Sequence, residues 1–195
     1  EIQVRSLFSC QLYRLGACYE AIKWVGDKEF EEAWASCEDM DWMFWLAEKL
    51  KVDSKLSIQA ACRCARLVLH LVLKGEERPK RAVETIEAWL EGRASIEEIQ
   101  AASEAAWIAS CAATRAACVT CAVEAAKAVC DAVWVTVRTP KVAAWVAARD
   151  TARAAKAAAR AAETVCDSSI KPQILSIIRE VLTQPVREKL SKINP

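Results

Sequence analysis

At 195 residues with a net charge of +1 and 54% apolar residues, the chain is long enough for one good core or two small ones and too apolar to be disordered throughout. Four Gly and five Pro leave little material for turns, whereas alanine, the best helix former, is abundant, so helices and no sheet are expected. No uninterrupted apolar run reaches the ~18 residues of a membrane span, and residues 1–10 show no basic n-region followed by an apolar h-region, which reads as a soluble, cytoplasmic protein with no membrane partner.

The chain does not begin with Met, which points to residues upstream of Glu1. Asp27 is a candidate cap for a helix carrying Phe30, Ala33, Trp34 and Cys37, and Asp39 for the next, carrying Trp42, Trp45 and Leu46. A third helix starts near Asp53 or Ser54 and runs through Ile58, Ala61, Cys62, Ala65, Leu69 and Val72 to a stop at Gly75. Pro79 suits the first turn of a fourth, with Ala82, Val83, Ile86, Trp89 and Leu90 at helical spacing until Gly92. Ser95-Ile96-Glu97-Glu98 is a capping box. From Gly92 to Pro140 neither Gly nor Pro occurs, which reads as one helix of about 40 residues, roughly 60 Å long. A compact chain of this size is only about 40 Å across, so a break or strong bend is expected near Thr114 to Thr120. Thr139-Pro140 opens another alanine-rich helix to about Cys166, and Pro172 and Pro185 open two shorter ones. The expected architecture is all-α: a multi-helix bundle of short Trp-rich helices (1–95) followed by long alanine-rich helices (96–195), packed on each other as one domain.

Eight Trp, four of them between positions 24 and 45, must supply much of the packing, because alanine faces bury little area. The cluster is either core or a ligand-stacking surface. The ten Cys lie along apparent helices without loops between them, so they read as reduced, and most of them as buried apolar residues, rather than a disulfide framework. His70 is the only histidine and reads as a partly buried structural residue, out of register with Cys62 and Cys64 for a nucleophile pair. Cys118 and Cys121 form a CxxC, with Cys111 on the same stripe, but mid-helix and without neighbouring ligands. No Gly-rich phosphate loop, GxSxG or HExxH occurs. No catalytic residue, metal or cofactor is expected.

Charge is unevenly spread. From Asp27 to Asp41 seven acids (Asp27, Glu29, Glu31, Glu32, Glu38, Asp39, Asp41) stand against Lys28, and from Arg138 to Pro195 eleven bases stand against five acids. Arg138, Lys141, Arg149, Arg153, Lys156 and Arg160 should line one helical face. That stripe is a nucleic-acid surface, a solvated face, or a partner for the acidic helices of the same molecule. The acidic segment would suit a basic partner surface, such as the substrate groove of a nuclease, with Glu31, Glu32 and Asp39 steering the encounter.

The run Arg14-Leu15-Gly16-Ala17-Cys18, then Glu20-Ala21, Trp24-Val25, Glu32-Ala33-Trp34 and Asp41-Trp42-Met43-Phe44-Trp45-Leu46-Ala47, resembles a family of bacterial and phage immunity proteins. The likeness continues through Ala60-Ala61-Cys62-Arg63-Cys64-Ala65-Arg66, Gly75-Glu76-Glu77-Arg78-Pro79 and Ala82-Val83-Glu84 to Trp89. It covers roughly residues 14 to 95; beyond them only an alanine-rich helical tail is shared. The resemblance implies a helical protein that neutralises a toxin, or a phage product that acts on a host defence component, in either case by binding a protein target. It also implies signature residues Glu20, Trp24, Trp34, Asp41, Trp42, Trp45, Arg66, Glu77, Arg78 and Glu84. These would form a binding pocket or a polar network, with Arg66 and Arg78 paired in the core to Asp41 or Glu84. Other readings stay open: nucleic-acid or nucleotide binding through the basic stripe, a small-molecule or metal site around Trp42, Asp41, Arg66 and His70, or a structural phage or assembly protein that forms homo-oligomers through alanine-rich helices.

Overall fold

The structure, a computed structural model, describes residues 6–112, 117–138, 143–164 and 167–193. Among them are ten α-helices and no strand, as the composition predicts. The first four are short: α1 (Leu7–Arg14), α2 (Tyr19–Val25), α3 (Phe30–Ser36) and α4 (Met40–Lys49). They are followed by α5 (Ser54–Val68), a 3-10 turn at Leu69–Leu71, and α6 (Arg78–Leu90). The alanine-rich part holds α7 (Ile96–Ala112), α8 (Ala117–Arg138) and α9 (Ala143–Thr164), and the chain closes with α10 (Ile170–Leu190).

Several starts are fixed by the caps read from sequence. The Asp39 carboxylate accepts the Trp42 N–H at 3.2 Å, and that of Asp53 accepts the Lys55 N–H at 3.0 Å. In the Ser95/Glu98 box the Ser95 N–H donates to Glu98 Oε2 at 2.7 Å and the Glu98 N–H to Ser95 Oγ at 3.2 Å. These bonds satisfy amides that a helix start leaves without partners. Asp27 caps nothing: α3 begins at Phe30 with Glu29 at the cap position and no side-chain bond there. α1 ends with Gly16 at φ 80°, where the Ala17 N–H reaches back to the Leu12 carbonyl at 3.0 Å, a closure that needs a left-handed residue.

Two expected boundaries fall elsewhere, while the break expected near Thr114 to Thr120 falls close to its place, between Ala112 and Ala117. α5 stops at Val68 rather than at Gly75, so His70 sits in the 3-10 turn and is exposed instead of partly buried. The segment after Gly92 is two helices. Ser103 Oγ donates to Asp131 Oδ1 at 3.5 Å, whereas a straight helix would hold residues 28 apart at about 42 Å; α7 and α8 therefore fold back on each other, and residues 113–116 between them lie outside the described residues. Pro185 opens no new helix but lies inside α10. Its missing N–H and ring normally break a helix. Here Ile174, Ile178, Leu182, Val186 and Leu190 form one buried stripe that spans it, and their packing holds the axis through the proline. The expected helix start at Thr139-Pro140 and its end at Cys166 lie outside the described residues.

α9 is the central pillar. It packs along α8 and against α5, α4 and α10, while α5 also meets α6, α8 and α10, and α7 lies against α6 and α8. Its contact faces are Ala154, Ala155, Ala157, Ala158, Ala161 and Ala162, all buried; side chains that short let the helix axes approach closely. One buried cluster runs from Phe8 through Phe44, Ile58 and Ile86 to Ala158 and Leu182, so the core is continuous across residue 95. α10 ties the chain ends together: Gln11 Nε2 donates to the Leu190 and Ile193 carbonyls, each at 3.2 Å. No helix among the described residues is long and apolar enough to cross a membrane.

Candidate functional site

The Trp-rich face is built by α2, α3 and α4. Glu20 and Trp24 are one turn apart on α2; Glu20 is exposed and Trp24 half-buried. The Trp24 ring packs on that of Trp42 with centroids 5.7 Å apart, and Lys28 Nζ lies 4.8 Å from the Trp24 ring while donating to its carbonyl at 2.8 Å. On α3, Trp34 is buried against Phe30, which meets Phe8 edge to face at 5.5 Å. Trp34 Nε1 donates to Thr183 Oγ1 at 2.8 Å, satisfying the one polar atom of its ring. Phe8, Leu12, Trp24, Trp34, Trp42 and Trp45 surround an apolar cavity of only about 40 Å³. That space is far below the ~300 Å³ of a drug-sized site. The inner part of the cluster is core, and Trp24, Trp42 and Trp45 present an edge to solvent.

Much of the acidic segment is matched within the molecule. On α10 the row Lys171, Arg179, Thr183, Arg187, spaced by four or eight residues, follows α3: Lys171 Nζ bonds Glu38 at 2.8 Å, and Arg187 bonds both oxygens of Glu31 at 2.7 and 2.8 Å. Arg179 donates to the Trp34 and Cys37 carbonyls at 3.2 and 2.8 Å, which places a cation at the negative end of α3. The Arg187 guanidinium holds the Glu31 carboxyl below its usual range, as Lys171 does that of Glu38. Asp41 pairs with Lys156 of α9. Exposed and without a side-chain partner among the described residues are Glu20 and Asp27, on and just after α2, and Glu32 on α3.

The remaining signature residues lie on α5 and α6. Arg66 pairs with Glu87 and Arg78 with Glu76, both at the surface; neither pairs with Asp41, and Arg66 feels the exposed Glu84 only as a neighbouring charge, not as a core partner. The reason is geometric: Arg66 is on the exposed face of α5 toward α6, and Glu76 is two residues before Arg78. Glu77 lies 3.6 Å from Lys80, and Glu84 is exposed. The signature set is therefore split between an aromatic face and a row of surface ion pairs.

Part of the basic stripe is likewise occupied. Lys156 bonds Asp41, Arg160 lies 3.5 Å from Glu124 of α8, and Arg149 lies 3.4 Å from Asp150. Arg153 is exposed, and Lys141 and the Arg138 side chain lie outside the described residues. The thiols of Cys62, Cys64 and Cys130 are buried, and burial pushes them up, to about 12 for Cys64 and Cys130. They are protonated packing groups. The Cys111 and Cys118 side chains lie outside the described ones, and no cluster of three metal-ligating side chains occurs among the described residues.

Three features had little sequence signal. The α10 row was visible only as scattered bases. Asp150 is 3% exposed on α9; burial raises its pKa, as does the Asp131 charge, against the lowering pull of Arg149. Glu48, on α4, has a buried carboxylate oxygen with no hydrogen-bond partner among the described residues. Comparison of the chain with protein-family models, curated proteins and solved structures found no match.

Proposed function

We propose that the chain is a non-enzymatic protein-binding inhibitor of the immunity or phage counter-defence type, which occludes a basic surface of its target with the α2–α4 face. The observation that carries this reading is the half-buried Trp24–Trp42 pair on a segment, α2 to α4, whose exposed acids Glu20, Asp27 and Glu32 have no partner among the described residues. Trp is enriched among residues that dominate binding energy, because it supplies a large rigid contact at small entropic cost. Acids around such an anchor speed encounter with a basic surface and penalise wrong partners. The scaffold behind the face is held at both ends of α3 by α10, so the anchors are presented pre-organised. The target would be met in the cytoplasm, that of the host if the protein is phage-encoded.

The test is affinity capture from native host lysate with nuclease treatment, comparing the wild type with a Glu20→Lys/Glu32→Lys variant of unchanged circular dichroism. One stoichiometric protein, nuclease-resistant, lost in the variant and inhibited when bound, is the expected result. Recovery of nucleic acid, or capture indifferent to both reversals, would overturn the reading.

A further inference from the structure

α4 runs antiparallel to α9, so Asp41 near its start faces Lys156 and Glu48 near its end lies beside Arg149. Between the two helices is a cavity of about 230 Å³ lined by Asp41, Trp45, Glu48, Ala148, Arg149 and Ala152. It is smaller than the ~300 Å³ lower bound of drug-sized sites, and fits one functional group with a short stem. Its charges do not balance. Asp41 has Lys156, and Arg149 has Asp150, but the Glu48 carboxylate has no ion pair among the described residues, and its Oε2 is buried without a hydrogen bond. A buried, partnerless carboxylate oxygen forfeits its hydration without compensation and calls for an explanation. The wall beside it is the Trp45 ring, whose ability to hold a cation is visible already, since Lys49 Nζ lies 6.0 Å from its centroid. An aromatic face, an unmatched carboxylate and two alanines that leave room between helices are what a monovalent organic cation requires.

We infer that the α4/α9 cavity is a binding site for an alkylammonium or guanidinium group, with Glu48 as its counterion, Trp45 as its aromatic wall and Asp41 at the rim. A free small amine and a basic side chain of a protein partner both carry such a group; the chemistry of recognition is the same, and the site does not depend on the inhibitor reading. The presence of Arg149 and the lack of a third carboxylate disfavour a divalent metal, which would want several oxygen ligands.

The experiment is titration of the purified full chain with n-butylammonium, agmatine and an acetyl-Gly-Lys-Gly-amide peptide, with n-butanol as the neutral control, followed by calorimetry and by thermal melting. Saturable one-site binding of a cation in the roughly millimolar range, absent for butanol, is expected. Glu48→Gln should weaken it about tenfold or more. Peptide binding equal to that of butylammonium identifies a side chain as the source, and binding of the free amines alone identifies a small molecule. No saturable binding of any cation, or equal binding by Glu48→Gln, would overturn the assignment. So would binding seen only in an Arg149→Ala variant, since the cavity would then be filled by the protein's own arginine.

Discussion

The Trp-rich short helices and the alanine-rich long ones solve the same problem in opposite ways. α2 to α6 span 7 to 15 residues each and bury large side chains such as Ile22, Met43, Phe44, Ile58 and Ile86. Helices this short are marginal alone; they hold because each large side chain removes much apolar area from water. α8 and α9 have 22 residues each and contribute mostly Ala and Val to the core, including Ala125, Val129, Ala155 and Ala158. There the gain per side chain is small, and stability rests on helix propensity, length and close axis approach. One half should therefore fail when a side chain is shortened, and the other when one is lengthened.

The largest effect expected is at Phe44. Phe44→Ala should cost about 3–5 kcal/mol, measured by urea unfolding, and a cost like that of an alanine substitution at a surface site would break the contrast. Ala158→Leu should cost about 1–3 kcal/mol through overpacking, although leucine is nearly as good a helix former as alanine; no loss would mean that α9 is loosely seated. Lys51 stands at φ 53°, in the left-handed region, where the Val52 N–H closes α4 onto the Ala47 carbonyl at 2.9 Å. Lys51→Gly should stabilise by about 1 kcal/mol, in the half that depends on its helix ends, and show as a higher melting temperature.

Asp150 sharpens the comparison from the other side, as a buried acid in the alanine-rich half. Its raised pKa means that the folded state binds a proton more readily than the unfolded chain. The stabilisation from protonation is complete below the ordinary value near ~3.9 and is lost as pH rises through the raised value. At neutral pH the ionised carboxylate, facing Asp131 and only partly offset by Arg149 and Arg153, is a burden. Asp150→Asn should melt higher than wild type at pH 7, and the gap should close toward pH 4; a gap that widens on acidification would refute this assignment. The smallest effect belongs to Arg187→Ala, which removes an exposed pair with Glu31 that solvent and salt screen. Its melting temperature should stay near that of wild type, even though the pair looks complete.

Legibility followed the range of the interactions. Asp39, Asp53 and the Ser95/Glu98 box act on amides two or three residues away, so their helix starts could be read directly. The end of α4 could not, because the left-handed position carries Lys rather than Gly. Of the candidate site, Trp24, Trp42 and Glu20 were legible as a Trp-rich acidic region. Which acids would remain free was not, since Glu31, Glu38 and Asp41 are matched by Arg187, Lys171 and Lys156, more than 100 residues away in the chain. Arg66 and Arg78 took their nearest surface acids instead of crossing the core.

By itself the sequence determined an all-α chain, several of its helix starts and the contrast between large and small core residues, because propensity, capping and periodicity act within a turn or two. Only the tertiary structure decided that the segment after Gly92 doubles back, that α10 runs through Pro185, that the acidic helices are bound by α10 and α9, and that Glu48 lines a cavity with one buried carboxylate oxygen unbonded among the described residues. Each of these depends on which distant faces meet, and burial against those faces outweighs the local preference of a proline or the free choice of a surface charge.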